Sequence, residues 1–148
     1  MKTTRLLRSL LASLLCLPGT LALAQPGPPP GPEGNLGTVD GREIYERLCQ
    51  GCHMPGGAGA RGAAAYPSFV DNPALASSRY MAVTILAGRG NMPAFDLYAQ
   101  EPDFFEPAFL TDEQVANVVN YIRTSFGNQY DDPISAEDVR ALRPQPGE

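Results

Sequence analysis

Five consecutive residues, Cys49-Gln50-Gly51-Cys52-His53, carry the most specific chemical signal in the sequence. Two thiols three positions apart lie on neighbouring turns of a helix, so both can reach the two vinyl groups of one porphyrin. The imidazole that follows can donate a nitrogen to the iron, and His53 is the only histidine in the chain. The run therefore predicts a c-type haem attached through Cys49 and Cys52, with His53 as an axial ligand.

Three other uses of the cysteine pair fit the sequence less well. A two-cysteine redox motif belongs beside a βαβ pattern, and no parallel-strand pattern is visible. A structural zinc site needs four protein ligands, but beyond residue 24 only Cys49, Cys52 and His53 offer sulfur or imidazole. A disulfide between the two cysteines would close a very small loop and add little stability.

The first 24 residues have the pattern of a secretory signal peptide. Basic residues precede an apolar run over residues 10–17, and Ala22-Leu23-Ala24 is a small-residue cleavage signal. The apolar run is too short to remain as a membrane span. Cys16 follows Leu15, where a lipoprotein signal requires a small residue, so it is interpreted as part of the signal peptide. Export agrees with the haem motif, because bacteria attach c-type haem outside the cytoplasmic membrane. The predicted location is therefore periplasmic or otherwise exported.

Composition bounds the size and the partners of the mature chain. Cleavage after Ala24 would leave 124 of 148 residues, enough for one domain. Those residues hold eight arginines, no lysine and 16 acidic residues, a formal net charge of −8. Such a surface argues against nucleic acid, which needs a cationic face, and permits docking to a basic patch on a protein partner. Residues 25–36 are rich in proline and glycine and predict a flexible linker.

Helical signals divide the folded region into separate segments. Predicted helices run from the N-cap Asp40 to about His53, as a short stretch from Asn72-Pro73, over residues 77–86, from Thr111 to a stop at Gly127, and over residues 135–142 from the N-cap Ser135. The clearest is the fourth, where Thr111 and Gln114 form a capping box before an apolar stripe. Residues 55–62 hold too much glycine for a regular element, and strand signals are absent throughout.

These residues together resemble class I cytochrome c over about residues 37–127. The resemblance rests on Gly41-x3-Tyr45-x3-Cys49-x2-Cys52-His53, on Pro67, on Met92-Pro93 and on the amphipathic helix that contains Tyr121. It implies an all-α fold of three to five helices wrapped around one covalently attached haem. Residues 37–127 would form this cytochrome c domain, and residues 128–148 a C-terminal extension.

The resemblance also implies roles for single positions. His53 and Met92 would be the two axial ligands of the iron, and the Pro67 carbonyl would accept a hydrogen bond from the far nitrogen of His53. Gly41 and Tyr45 would lie where the first helix crosses the last near Tyr121. Met92 could instead be core filler. The other methionines are poorer candidates for the second ligand, because Met54 is adjacent to His53 and cannot reach the opposite face of the haem, and Met81 lies within a helix.

Two segments depart from the smallest members of the family. Residues 96–110 form a long acidic and aromatic connection. In it, either Phe104 and Phe105 form an exposed docking patch, or at least one of them packs over the haem edge or the last helix. We expect Asp96, Glu101, Asp103 and Glu106 of this connection to face a basic partner. The tail over residues 128–143 resembles cytochrome c modules and subunits that accept electrons from periplasmic dehydrogenases.

The implied activity is one-electron transfer and not catalysis. Histidine and methionine ligands would leave the iron no open position, and no acid, base or nucleophile constellation is found. The implied partners are a dehydrogenase as donor and an oxidase or another cytochrome as acceptor, with neither nucleic acid nor a membrane span after cleavage. A free shuttle and a permanent subunit both remain open. The alternative is a haem enzyme or sensor with an open distal site, such as a peroxidase or a gas-binding protein.

Overall fold

The computed structural model of the chain describes residues 36–96 and 109–143. The predicted signal peptide and nearly all of the predicted linker lie outside the described residues. The acidic connection is described only at its two ends, so Phe104, Phe105 and three of its acidic residues lie outside as well.

The first helical stretch is continuous but changes its hydrogen-bonding pattern halfway. Asp40 caps it, because its carboxylate accepts a hydrogen bond from the backbone N–H of Glu43 at 2.8 Å. Helix α1 (Gly41–Ile44) passes into a π-helical segment (Tyr45–Cys49) and then into α2 (Gln50–His53). The predicted helix from Asp40 to His53 is confirmed in its extent. A π-helical turn is rare and often lies at a functional site, and this one ends on the first cysteine.

The glycine-rich segment after His53 is more regular than expected. A 3-10 turn (Pro55–Gly57) leads into an antiparallel ladder of β1 (Ala60–Arg61) and β2 (Ala65–Tyr66), with Ala60 opposite Tyr66. The expectation that neither a regular element nor a strand would be found here is wrong. Each strand is only two residues long, so no alternation of apolar and polar residues could reveal it in the sequence.

The middle of the chain forms a short turn and a longer helix. The 3-10 turn Pro73–Ala76 is capped by Asn72, and α3 (Ser78–Ala87) is capped by Ser77, whose hydroxyl accepts the backbone N–H of Tyr80 at 3.1 Å. Gly88, with φ +70°, ends α3. Both predicted segments are confirmed, with the bounds of α3 one residue later than expected.

The two remaining helices form the C-terminal part of the described chain. Helix α4 (Asp112–Thr124) begins with the expected capping box between Thr111 and Gln114. It ends three residues before the predicted stop at Gly127, because Ser125 already leaves the helix and Phe126 has φ +57°. Helix α5 (Ala136–Arg140) follows with Ser135 as its N-cap, as predicted.

Helix α4 is the element on which α1, α3 and α5 all pack. Its apolar stripe is buried together with side chains of the other helices: Ile44, Ala82, Ile85, Leu86, Val115, Val118, Val119, Ile122 and Val139. Gly41 lies where α1 meets α4, and a Cβ at this position would be 2.6 Å from the carbonyl carbon of Asn117 and 3.0 Å from Cβ of Tyr121. The helix crossing implied by the family resemblance is therefore present, and glycine is what allows it.

The residues after α4 belong to the same core. Ile134 and Val139 are buried, and Arg123 of α4 is buried as well, with 1% of its surface exposed. Arg123 donates to the Leu75 carbonyl at 2.9 Å and to the carboxylate of Asp132. This guanidinium thus joins the second 3-10 turn to the chain that leads to α5. Within residues 36–96 and 109–143, no helix has the length and apolar character needed to cross a bilayer.

Candidate functional site

The two cysteines of the Cys-x-x-Cys-His run lie on one helical stretch, where the π-helical segment meets α2. Cys49 is half-buried and Cys52 exposed, and no disulfide joins them. Burial raises the pKa of the Cys49 thiol to about 12, and the neighbouring Cys52 acts in the same direction. Redox-active cysteines need a lowered pKa. This environment therefore disfavours a two-cysteine redox centre.

His53 is held in one orientation by two contacts. It is buried, its Nδ1 lies 3.1 Å from the Pro67 carbonyl oxygen, and its ring stacks on Phe69 with 4.3 Å between centroids. A carbonyl only accepts, so Nδ1 carries the proton and Nε2 keeps its lone pair. Burial lowers the pKa of His53, and the Pro67 carbonyl opposes this in part. A buried neutral imidazole whose Nδ1 donates to a backbone carbonyl has the arrangement typical of a metal-ligating histidine.

Two glycines bring the Pro67 carbonyl to His53. A Cβ on Gly59 would lie 2.5 Å from the Tyr66 carbonyl oxygen, and the Gly59 N–H donates to the His53 carbonyl at 2.9 Å. The Gly57 carbonyl accepts the Phe69 N–H at 2.7 Å. Both glycines have positive φ, which side chains disfavour. The loop after His53 is therefore folded back tightly onto residues 66–69.

The hydroxyl of Tyr45 holds the start of the same loop through a hydrogen bond. Tyr45 is buried and donates to the Met54 carbonyl at 2.7 Å, while its ring contacts Phe69, Tyr121 and Phe126. Met54 has φ +65°, an uncommon value for a residue with a side chain. The sequence predicted a packing role for Tyr45, and the hydrogen bond adds a second role that the spacing alone does not reveal.

Met92 is held by a different set of elements. It closes a tight turn with Arg89, in which the two backbones exchange hydrogen bonds of 3.1 and 3.0 Å. A Cβ on Gly88 would lie 2.6 Å from the Met92 carbonyl oxygen, so glycine lets this turn fold against the end of α3. The Phe95 N–H donates to Ile85 at 3.0 Å. Met92 itself is half-buried against the core.

One side of α3 leaves apolar surface uncovered. Met81, Ala82, Ile85 and Leu86 form its buried face, whereas Tyr80 and Val83 are 42% and 43% exposed. Helix α3 is therefore apolar on two sides, one of them buried and the other partly exposed. A large apolar ring would find matching surface there.

Asp96 does not belong to the exposed acidic surface on which the sequence placed it. It is 1% exposed, its N–H donates to the Leu86 carbonyl at 3.2 Å, and its carboxylate pairs with Arg143. The expectation that Asp96 faces a partner is wrong, because a buried and paired carboxylate offers little charge to one. Arg143 stands 47 residues away, and no local spacing signals such a pair.

Comparison with known proteins establishes the family. The cytochrome c family model matches residues 38–126, so the chain belongs to the cytochrome c family. Its mostly helical fold fits class I of that family. Membership implies a covalently bound haem c, and Cys49 and Cys52 have the spacing that this attachment requires.

Several relatives are named as cytochrome subunits of dehydrogenases. The cytochrome c subunit of alcohol dehydrogenase (quinone) from Gluconacetobacter polyoxogenes is 32% identical over 114 residues, covering 74% of this chain and 24% of the relative. The fructose dehydrogenase cytochrome subunit from Gluconobacter japonicus is 31% identical over 116 residues, covering 72% and 22%. Cytochrome c-552 from Thermus thermophilus is 30% identical over 145 residues, covering 92% and 86%. The chain thus spans about a quarter of the two dehydrogenase subunits. It resembles parts of such subunits and, over most of its length, cytochrome c-552.

Proposed function

We propose that this protein is a one-electron carrier whose single haem c is attached through Cys49 and Cys52 and ligated by His53 and Met92. The observation that carries the proposal is His53, which follows the two thiols, is buried, and has its Nδ1 occupied by the Pro67 carbonyl at 3.1 Å. Only Nε2 is left to bind a metal. Bound haem c supplies a reversible exchange of one electron.

The residues around the haem would have separate roles. Pro67 fixes the ring of His53 and strengthens it as a donor, as outer hydrogen bonds to ligating histidines do. Met92 would contribute a thioether, which favours the reduced iron and raises the potential relative to a second imidazole. The uncovered apolar face of α3, with Tyr80 and Val83, would keep water away and disfavour the extra positive charge of the oxidised state.

Covalent attachment is tested by extraction. Denaturing the mature protein in acid acetone should leave the colour with the polypeptide, and replacing both Cys49 and Cys52 by alanine should abolish it. Colour that passes into the solvent from the wild-type protein would contradict the attachment.

Methionine ligation separates an electron carrier from a haem enzyme or sensor with an open distal site. The oxidised protein should show the weak far-red absorption band of a methionine-ligated haem. Met92→Ala should remove this band, lower the potential and admit small ligands such as imidazole. Met81→Leu is the matched control, because it conserves volume in the buried core and should leave band and potential unchanged. A wild-type protein without the band, or a band that survives in Met92→Ala, would transfer the sixth position to another group.

The proposed electron donor is a periplasmic or otherwise exported dehydrogenase, and the proposed acceptor belongs to the respiratory chain. Support comes from the relatives named as dehydrogenase cytochrome subunits and from the signal-peptide pattern of residues 1–24. Similarity to cytochrome c-552 over 92% of the chain is equally compatible with a free shuttle. Purification of the native protein from its source, followed by size-exclusion chromatography with haem detection, distinguishes a permanent subunit from a shuttle.

The acidic connection is proposed as the docking segment through Glu101, Asp103 and Glu106. Reduction of the haem by the donor should slow as salt is raised, because the Debye length is about 10 Å at 0.1 M. Neutralising the three residues together should slow it at low salt.

A matched control removes the same amount of charge elsewhere. Glu113, Asp131 and Glu137 are exposed acidic residues of the C-terminal part, and their triple neutralisation should have a smaller effect. If both triple variants slow the reaction equally, net charge alone matters and the connection is not the docking segment.

A further inference from the structure

Arg143 joins three segments of the chain around one guanidinium. It pairs with the carboxylates of Asp96 and Asp112 and donates to the Leu110 carbonyl at 2.7 Å. The Arg143 side chain is 12% exposed and that of Asp96 is 2% exposed. These contacts bring together the chain after Met92, the start of α4 with Leu110 just before it, and the residues that follow α5.

The segment from Met92 to Asp96 is held against α3 by backbone hydrogen bonds. The N–H groups of Phe95 and Asp96 donate to the carbonyls of Ile85 and Leu86 at 3.0 and 3.2 Å. The Phe95 carbonyl in turn accepts the Leu110 N–H at 2.9 Å. Among the described residues, Asp96 is therefore the last one of this segment that is fixed to the helix, four residues after the methionine.

The burial of Asp96 depends on Arg143. Within the described residues, Oδ2 of Asp96 has no hydrogen-bond partner, and its other carboxylate oxygen pairs with the guanidinium. A buried carboxylate that loses its partner is strongly unfavourable. Without Arg143, the segment would relieve that charge by moving Asp96 towards water, and this movement would pull on the turn that holds Met92.

We propose that Arg143 is a positioning residue for Met92: its ion pair with Asp96 keeps residues 92–96 against α3 and so keeps the thioether in place. The inference rests on the proposed ligation by Met92. If so, a residue after α5 helps to position a ligand of the redox site, although Arg143 lies beyond residues 38–126, which the cytochrome c family model matches.

Arg140 provides a matched control. Like Arg143, it carries one positive charge and bonds to Asp112, at 3.1 Å. Unlike Arg143, its side chain is 73% exposed. Replacing either arginine by methionine removes one positive charge and one contact to Asp112. Only Arg143→Met also removes the contacts to Asp96 and to the Leu110 carbonyl.

The experiment compares the haem-loaded wild type, Arg143→Met and Arg140→Met. The first measurement is the affinity of the oxidised protein for imidazole, which must displace the methionine. Apparent affinity rises with the fraction of molecules in which the sixth position is open. Arg143→Met should bind imidazole roughly tenfold to a hundredfold more tightly, since losing the partner of a buried charge is a large perturbation. Arg140→Met should stay within about twofold of wild type.

A second measurement does not depend on the iron. Backbone hydrogen exchange at Phe95 and Asp96 should accelerate in Arg143→Met and remain unchanged in Arg140→Met, because the two amides are bonded to α3 in the closed segment. Adding Asp96→Asn to Arg143→Met removes the uncompensated carboxylate and should restore part of both properties. Arg143→Lys, which keeps the charge, serves if the methionine variant does not fold, and should show the same changes at smaller size.

The outcomes separate this inference from the proposed function. A wild-type protein without the far-red band removes the ligation by Met92 and the inference with it. A wild-type band together with equal imidazole affinity and equal exchange in both arginine variants overturns the inference alone. A loss of global stability without either change would make Arg143 a purely structural residue and would overturn it too.

Discussion

The crossing of α1 and α4 can be tested at one position, Gly41. In Gly41→Ala the new Cβ would stand 2.6 Å from the carbonyl carbon of Asn117, closer still to its oxygen, and 3.0 Å from Cβ of Tyr121. The first two obstacles are helix backbone, which cannot rotate away as a flexible side chain could. The two helices must therefore separate or shift along each other.

The size of the effect follows from two opposing contributions. Overpacking a core costs about 1–3 kcal/mol, and a backbone obstacle places this case near the upper value. Alanine is favoured over glycine within a helix by at most about 1 kcal/mol. The free energy of unfolding should therefore fall by about 2 kcal/mol, which corresponds to a Tm lower by about 10 °C for a domain of this size.

The assay is urea unfolding of the haem-loaded protein, followed by circular dichroism and by haem absorbance. An unchanged m value would assign the shift in midpoint to stability. Gly62→Ala is the control, because a Cβ there meets open space and its φ is not positive. It should change stability by less than about 0.5 kcal/mol. A Gly41→Ala protein as stable as wild type, or more stable, would refute the close approach of the two helices.

Two further predictions concern single hydrogen bonds. Tyr45→Phe should lower the free energy of unfolding by about 1 kcal/mol in the same assay, because the Met54 carbonyl loses its donor while the ring contacts remain; a stability equal to wild type would contradict an anchoring role. Hydrogen bonding to Arg123 holds the pKa of Asp132 below its usual value of about 3.9, so the stability from this pair is present above that pH and is lost as pH falls through the lower folded pKa. Asp132→Asn should therefore be less stable than wild type at pH 7 and approach it in acid, and a difference that is constant with pH would contradict the assignment.

Local signals were sufficient to predict where the helices begin. Asp40, Ser77, Thr111 and Ser135 each cap a helix where the sequence placed an N-terminus. A capping hydrogen bond joins residues two or three positions apart, so its partners are visible in the sequence. The β1–β2 ladder was missed because two-residue strands have no period to detect.

Contacts between distant residues were not predictable in the same way. Arg123 reads as a polar residue on an amphipathic helix, yet it is buried and bonds to a carbonyl 48 residues away. Asp96 reads as one more acid in an acidic connection, yet its partner lies 47 residues on. Composition gives the number of charges but not which of them are paired, and pairing decides whether a charge lies inside or outside.

The two sides of the proposed redox site depend on the chain differently. The hydrogen bonds on the His53 side are local, because the π-helical segment, Tyr45 and the loop that returns to Pro67 all lie within a few dozen residues of the motif, although the Tyr45 ring also packs on Tyr121 and Phe126. The Met92 side is fixed by α3 and, through Asp96, by Arg143. A chain cut after residue 127 would keep every motif residue but would lose Ile134 and Val139 from the core as well as the partner of a buried carboxylate. A complete motif is therefore not a complete site, because the support for its methionine comes from beyond the segment that the family pattern covers.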